Sequence, residues 1–164
     1  PGLESHDKWK WIKAGIGFAK RGAVKNPANA DIAFELGYMY LHLFDRNAFK
    51  HADYCRIKLR EELNEDNFEE AAFWLKKAVL FKSKNFNASV MQRMICHAYW
   101  QAALQAEKDR RLDDALEYTK KSIAEWDVYL DIYPEDPQDM AKKFIPMVER
   151  KKDELLQILR NNSR

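Results

Sequence analysis

The sequence predicts an all-α protein, and three observations predict it. Apolar residues recur at spacings of three and four, the helical period, in the stretches between Pro27, Pro134, Pro137 and Pro146. Strand-like alternation is not sustained anywhere along the chain. Only 5 Gly and 5 Pro occur, so long segments run without a breaker. About six or seven helices and no sheet are expected.

A first helix is expected from about Lys8 to Lys25, with Trp9, Ile12, Ile16 and Ala19 or Ala23 on one side. Gly15, Gly17 and Gly22 weaken it, since glycine costs roughly 1 kcal/mol relative to Ala in a helix. Packing must therefore hold it. The second helix begins after Pro27 and carries Ala33, Leu36, Gly37 and Tyr40. It either runs on or breaks at Asp45-Arg46-Asn47 and restarts as Ala48 to Leu63. Further helices are expected at Asn67 to Phe81, at Ala88 to about Glu107, and at Leu112 to about Tyr133. The last starts with Asp136 as N-cap, Pro137 at the first helical position and Asp139 in the first turn. It reaches about Arg160, with a kink expected at Pro146.

With 164 residues, the chain reads as one domain with one core. Its 28 basic and 26 acidic residues leave a formal charge of +2, without the basic excess of a nucleic-acid binder. Basic pairs such as Lys20-Arg21, Lys76-Lys77 and Lys120-Lys121 have acids nearby and read as solvated helix faces. Cys55 and Cys96 read as small buried side chains. No apolar run approaches the roughly 18 residues of a membrane span, and no signal peptide is visible. The start Pro1-Gly2, without Met, reads as a piece of a longer protein.

Two stretches then match position for position. Phe68-Glu69-Glu70-Ala71 with Lys76-Lys77-Ala78 corresponds to Leu112-Asp113-Asp114-Ala115 with Lys120-Lys121-Ser122. This pattern resembles the second helix of a tetratricopeptide repeat, in which the Ala sits where two helices cross closely. The stretch "NPANADIAFELGYMYLHL" resembles the first helix of that repeat. Ala33, Leu36-Gly37 and Tyr40 fall on its W-x-x-L-G-x-x-Y spacing, with Ala33 in place of Trp, and Pro27 falls on the repeat-closing Pro. Gly15, Ala19 and Gly22 sit where a preceding second helix keeps small residues. Gly37 is explained as the place where a neighbouring backbone approaches. Ala71 and Ala115 lie further apart than the usual repeat of about 34 residues, so an extra or longer helix is expected between Tyr40 and Phe68. The N-terminal stretch is also similar to bacterial, membrane-anchored repeat proteins, in which an anchor helix precedes the array.

The resemblance implies a helical-hairpin solenoid with long helices and a C-terminal capping helix. Residues 3–27 form a partial repeat, 28–82 a repeat with an insertion near 45–65, 83–133 a repeat, and 136–161 the cap. In the family the first helices line a concave groove that binds extended peptides or partner helices. Carried over, the groove positions are Asp31, Phe34, Glu35, Tyr38, Leu41 and His42 on one helix. On the next they are Gln92, Arg93, Cys96, Tyr99 and Trp100. Phe34, Tyr38 and His42, four apart, form one stripe. Trp9 and Trp11 are expected to cover an exposed end or to pair with another copy. In the cap, Leu155, Leu156 and Leu159 face the array while Glu149, Arg150, Lys151, Lys152 and Asp153 face water.

Other chemistries fare worse. His51-x-x-x-Cys55 could share a helix face, but Cys96-His97 lacks the spacing of a second ligand pair, so no metal site is assigned. No HExxH, P-loop, GxGxxG or GxSxG motif is present, and no enzyme activity or cofactor is expected. The expected function is a protein–protein interaction scaffold binding a protein or peptide partner, with no nucleic acid and no membrane contact by this segment. The alternatives are a homo-oligomerisation module working through the N-terminal helix and an RNA- or anionic-ligand-binding helical domain.

Overall fold

The computed structural model describes residues 4–44, 50–82, 87–136 and 138–162. Among the described residues the protein is all helical: α1 (Ser5–Lys25), α2 (Ala30–His42), α3 (Ala52–Leu63), α4 (Asn67–Leu80), α5 (Ala88–Lys108), α6 (Leu112–Ile132) and α7 (Met140–Asn162). The expected break at 45–47, the start of an inserted helix at Ala48 and the placement of Pro137 lie outside the described residues. Contacts divide the chain into two compact units, Pro1–Ala88 and Ser89–Arg164.

In the first unit, α2 and α4 form the most extensive helix pair. Each helix starts on a side-chain cap. Asn29 accepts from the backbone N–H of Asp31 and Ile32, and Asp66 accepts from Phe68 and Glu69. The pair closes on Ala33, Leu36, Gly37 and Tyr40 from α2 and on Ala71, Ala72, Leu75 and Ala78 from α4, all buried. Gly37 has the role expected of it: a β-carbon there would lie 2.6 Å from Leu75 Cγ and 3.0 Å from the Leu75 backbone N. The stretch between Tyr40 and Phe68 holds a separate helix, α3, ended by Asn64 in the left-handed conformation at φ 55°.

α1 packs on α2 and α3. It is anchored by Trp9, Ile16 and Ala23, the buried stripe that helical spacing predicts. Ion pairs add to this: Lys13 reaches Glu62 at 2.7 Å, and Lys20 reaches Glu65 at 2.6 Å and Glu70 at 3.2 Å. Ser5 Oγ and His51 Nδ1 lie 2.7 Å apart at the start of α3. The glycines of α1 do not behave like Gly37. A β-carbon on Gly15 would meet nothing within 4 Å, and one on Gly22 would meet Ile32 Cδ1 only at 3.9 Å.

In the second unit, α5 and α6 are joined through buried polar contacts. Ser122 Oγ donates to the Cys96 carbonyl at 3.0 Å, and Gln92 Nε2 donates to the Glu125 carbonyl at 3.1 Å. α7 packs on α6 around Cys96, Trp126, Tyr129 and Ala141, with Phe144 stacked on Trp126. α7 starts later than the sequence suggests. Asp139, expected in its first turn, has φ 51° and cannot continue a right-handed helix, so the helix begins at Met140. Asp136 still caps it, accepting from the backbone N–H of Met140 at 3.0 Å and of Lys142 at 3.3 Å. Pro146 lies inside the helix.

The inward face of α7 is Ala141, Val148 and Leu155, seven residues apart, with Leu156 and Leu159 only partly covered. Lys151 departs from the expected solvated face. Its ammonium bridges Glu107 of α5 at 3.3 Å and Glu154 at 2.9 Å.

Candidate functional site

The candidate site is built on α2, because one side of that helix is locked and the opposite side is open. Leu36, Gly37 and Tyr40 commit the first side to the core. Four-residue spacing then places Phe34, Tyr38 and His42 on a line along the helix. The rings follow that line: the Phe34 and Tyr38 centroids are 5.8 Å apart, and Tyr38 and His42 are 4.2 Å apart. The line passes from interior to surface. Phe34 is 4% exposed, Tyr38 is 45% exposed, and His42 is exposed. Glu35 is exposed on the same helix, Asp31 is half-buried, and Leu41 is buried. An exposed phenol, an imidazole and a carboxylate thus stand on a rigid base.

The positions singled out on α5 are differently placed. Cys96 is fully buried in the α6–α7 core cluster. Gln92 is buried and spends its amide on Glu125, whose side-chain Oε2 it reaches at 2.9 Å. Trp100 is buried. Arg93 and Tyr99 are half-buried. Arg93 donates to the Gln138 side-chain oxygen, and Lys121 Nζ lies 5.9 Å above the Tyr99 ring. A partner approaching the described face of α5 would meet Arg93 and Tyr99 before the other three.

Sequence reasoning missed a polar network behind α2. Tyr40 Oη donates to Glu65 at 2.5 Å, Lys20 Nζ holds the other Glu65 oxygen at 2.6 Å, and Lys20 also lies 5.5 Å over the Tyr40 ring. Glu70 joins through Lys20 and accepts the Trp74 indole N–H at 3.1 Å. Burial, and then the bond to Glu65, push the Tyr40 phenol far above its usual range. Helical periodicity reports burial but not polar pairing across helices, so Lys20-Arg21 reads in the sequence as a solvated basic pair, whereas Lys20 is held by Glu65 and Glu70.

Other groups offer little chemistry. Among the described residues no cluster of three or more His, Cys, Asp or Glu side chains is arranged to hold a metal ion. Burial pushes the Cys55 thiol up, away from the thiolate that a metal requires. An open cleft of about 430 Å³ lies beside Leu130, Pro134, Asp136 and Ile145. Its Asp136 carboxylate is occupied by the α7 cap and by the Tyr129 hydroxyl at 3.3 Å. No helix among the described residues is long and apolar enough to cross a membrane.

No protein-family model, no curated protein and no solved structure matches this chain.

Proposed function

We propose that this chain is a protein-interaction module that takes a peptide or partner helix against the open side of α2. The observation that carries the reading is the Tyr38–His42 ring pair, exposed beside Glu35 on a helix whose opposite side is locked into α4. Aromatic side chains give large contact area with few rotatable bonds, which suits them to anchoring a partner. Phe34 and Leu41, both buried, anchor the same helix in the interior of the first unit.

The tetratricopeptide resemblance belongs to the same proposal. It is supported by the close approach of Leu75 to Gly37 and by the burial of both Ala71 and Ala115. α3 is an insertion relative to that pattern, and α7 takes the capping role. No catalytic step or cofactor forms part of the reading.

A pull-down with the wild-type chain beside a Tyr38→Ala/His42→Ala variant, read by mass spectrometry, tests it. Both side chains are exposed, so the variant should keep its circular dichroism spectrum. A partner lost with the variant supports the α2 face, and a partner held equally by both chains overturns it. Binding that persists at moderate salt fits a peptide, whereas a steep loss with salt would favour a phosphate-bearing ligand.

A further inference from the structure

α1 carries a second face on which large aromatic side chains stand exposed. Trp9 turns inward, but Trp11 is 72% exposed and Phe18 is 74% exposed. Gly15 and Gly22 lie on the same side of the helix, so Trp11, Gly15, Phe18 and Gly22 follow a four-three-four spacing. That spacing is the seam of a helix paired with another helix. A β-carbon on Gly15 would meet nothing within 4 Å and one on Gly22 only Ile32 Cδ1, at 3.9 Å, so both positions leave room for a partner's side chain. Two bulky knobs therefore alternate with two holes along one line.

The register is self-complementary. Gly15 and Phe18 are equidistant from the Ile16–Gly17 midpoint, and Trp11 and Gly22 are equidistant from that same midpoint. An antiparallel second copy centred there sets Trp11 over the partner's Gly22 and Phe18 over the partner's Gly15, and the reverse. A parallel copy would oppose knob to knob. Charge selects the same orientation. Asp7 and Lys25 lie on one line at opposite ends of α1, so an antiparallel copy brings Lys25 beside the partner's Asp7 at both ends. Among the described residues Asp7 forms a loose ion pair with Lys10, at 3.8 Å. Lys10 lies further round the helix, at the rim, and the Arg21 guanidinium flanks the Phe18 knob, 5.9 Å from its ring centroid.

We propose that this chain pairs with a second copy of itself through α1, as an isologous antiparallel dimer. The inference is independent of the α2 reading. Four aromatic side chains, each worth about 150–250 Å² when fully covered, dominate the contact. That places it at or below the roughly 1,200 Å² at which standard interfaces begin, so the dimer is weak and depends on concentration.

Sedimentation equilibrium of the full chain over rising concentration is the test. The mass should climb toward twice that of the monomer. Gly15→Lys fills a hole with a charge while raising helix propensity, and Phe18→Ala removes a knob that the fold does not need. Each should weaken association at least about tenfold without loss of helical signal. Mild oxidation of a mixture of Asp7→Cys and Lys25→Cys chains should yield the mixed disulfide in excess of either homodisulfide, since Cys55 and Cys96 are buried. A chain that stays monomeric at its highest soluble concentration overturns the proposal. So does a dimer indifferent to Gly15→Lys, or an excess of homodisulfides. Binding of a strictly monomeric chain to anionic vesicles would give this face to a lipid surface and overturn it as well.

Discussion

Leu75 occupies the space that a side chain on Gly37 would need: its Cγ lies 2.6 Å, and its backbone N 3.0 Å, from the position of a β-carbon there. The contact involves backbone as well as a branched side chain, so rotamer change alone cannot relieve it. Gly37→Ala should destabilise the chain by about 1–3 kcal/mol through overpacking of the α2–α4 pair. Gly15→Ala should do the opposite. It meets open space in a helix interior, and should stabilise by about 0.5–1 kcal/mol. Urea unfolding of the two variants beside the wild type reads both signs.

Tyr40 predicts a response to alkali. Its folded-state pKa is raised, first by burial and then by Glu65. A raised pKa means the contribution is complete below the unfolded value, about 10, and is lost as pH climbs past it. The loss should approach 1.4 kcal/mol per pH unit, roughly, above that point. Tyr40→Phe costs about 1 kcal/mol at neutral pH, from the lost hydrogen bond, but removes this slope. Stability measured between about pH 8 and 11 should show the two chains converging at the alkaline end. Parallel curves would take Tyr40 out of the alkaline transition.

Asp136 holds the α6–α7 joint from one carboxylate. It receives two backbone N–H groups of α7 and the Tyr129 hydroxyl. Asp136→Ala should cost about 1–2 kcal/mol, the upper part of the range for a lost cap, because the buried Tyr129 hydroxyl also loses its acceptor. The melting temperature of the variant checks this, and an unchanged value would mean that solvent replaces the carboxylate at no cost.

Cys55 and Cys96 are fully buried, and neither is in a disulfide. Neither thiol should react with a disulfide reagent in the native chain, and both should react in denaturant. A rapid stoichiometric reaction without denaturant would show that one helix opens readily.

Much of the helical layout was legible because spacing, caps and breakers speak locally. The ends of α4, α5 and α6 fall within a residue or so of those expected, and Gly37 was legible because a glycine amid Leu36 and Tyr40 has no local reason to be there. The start of α7 was not. Asp136 and Pro137 look like a cap and a first turn, but Asp139 is left-handed and the helix waits for Met140. The stripe of Phe34, Tyr38 and His42 followed from four-residue spacing, whereas its gradient of exposure depends on which helices lie alongside. Gln92, Cys96 and Trp100 show the same limit on α5. A helix wheel assigns them a side, and only tertiary packing decides that this side is interior.

The three glycines of α1 set a hierarchy within the first unit. Glycine gains more freedom on unfolding than any other residue, and α1 is held by a lean stripe of Trp9, Ile16 and Ala23 together with surface-reaching ion pairs. α2 and α4 share the far more extensive contact. Amide protons of α1 should therefore exchange with solvent sooner than those of α2 and α4, through a partial opening that leaves the rest of the unit folded. Such an opening would bare Trp9 to water, giving the chain a built-in fluorescent reporter of the state of α1.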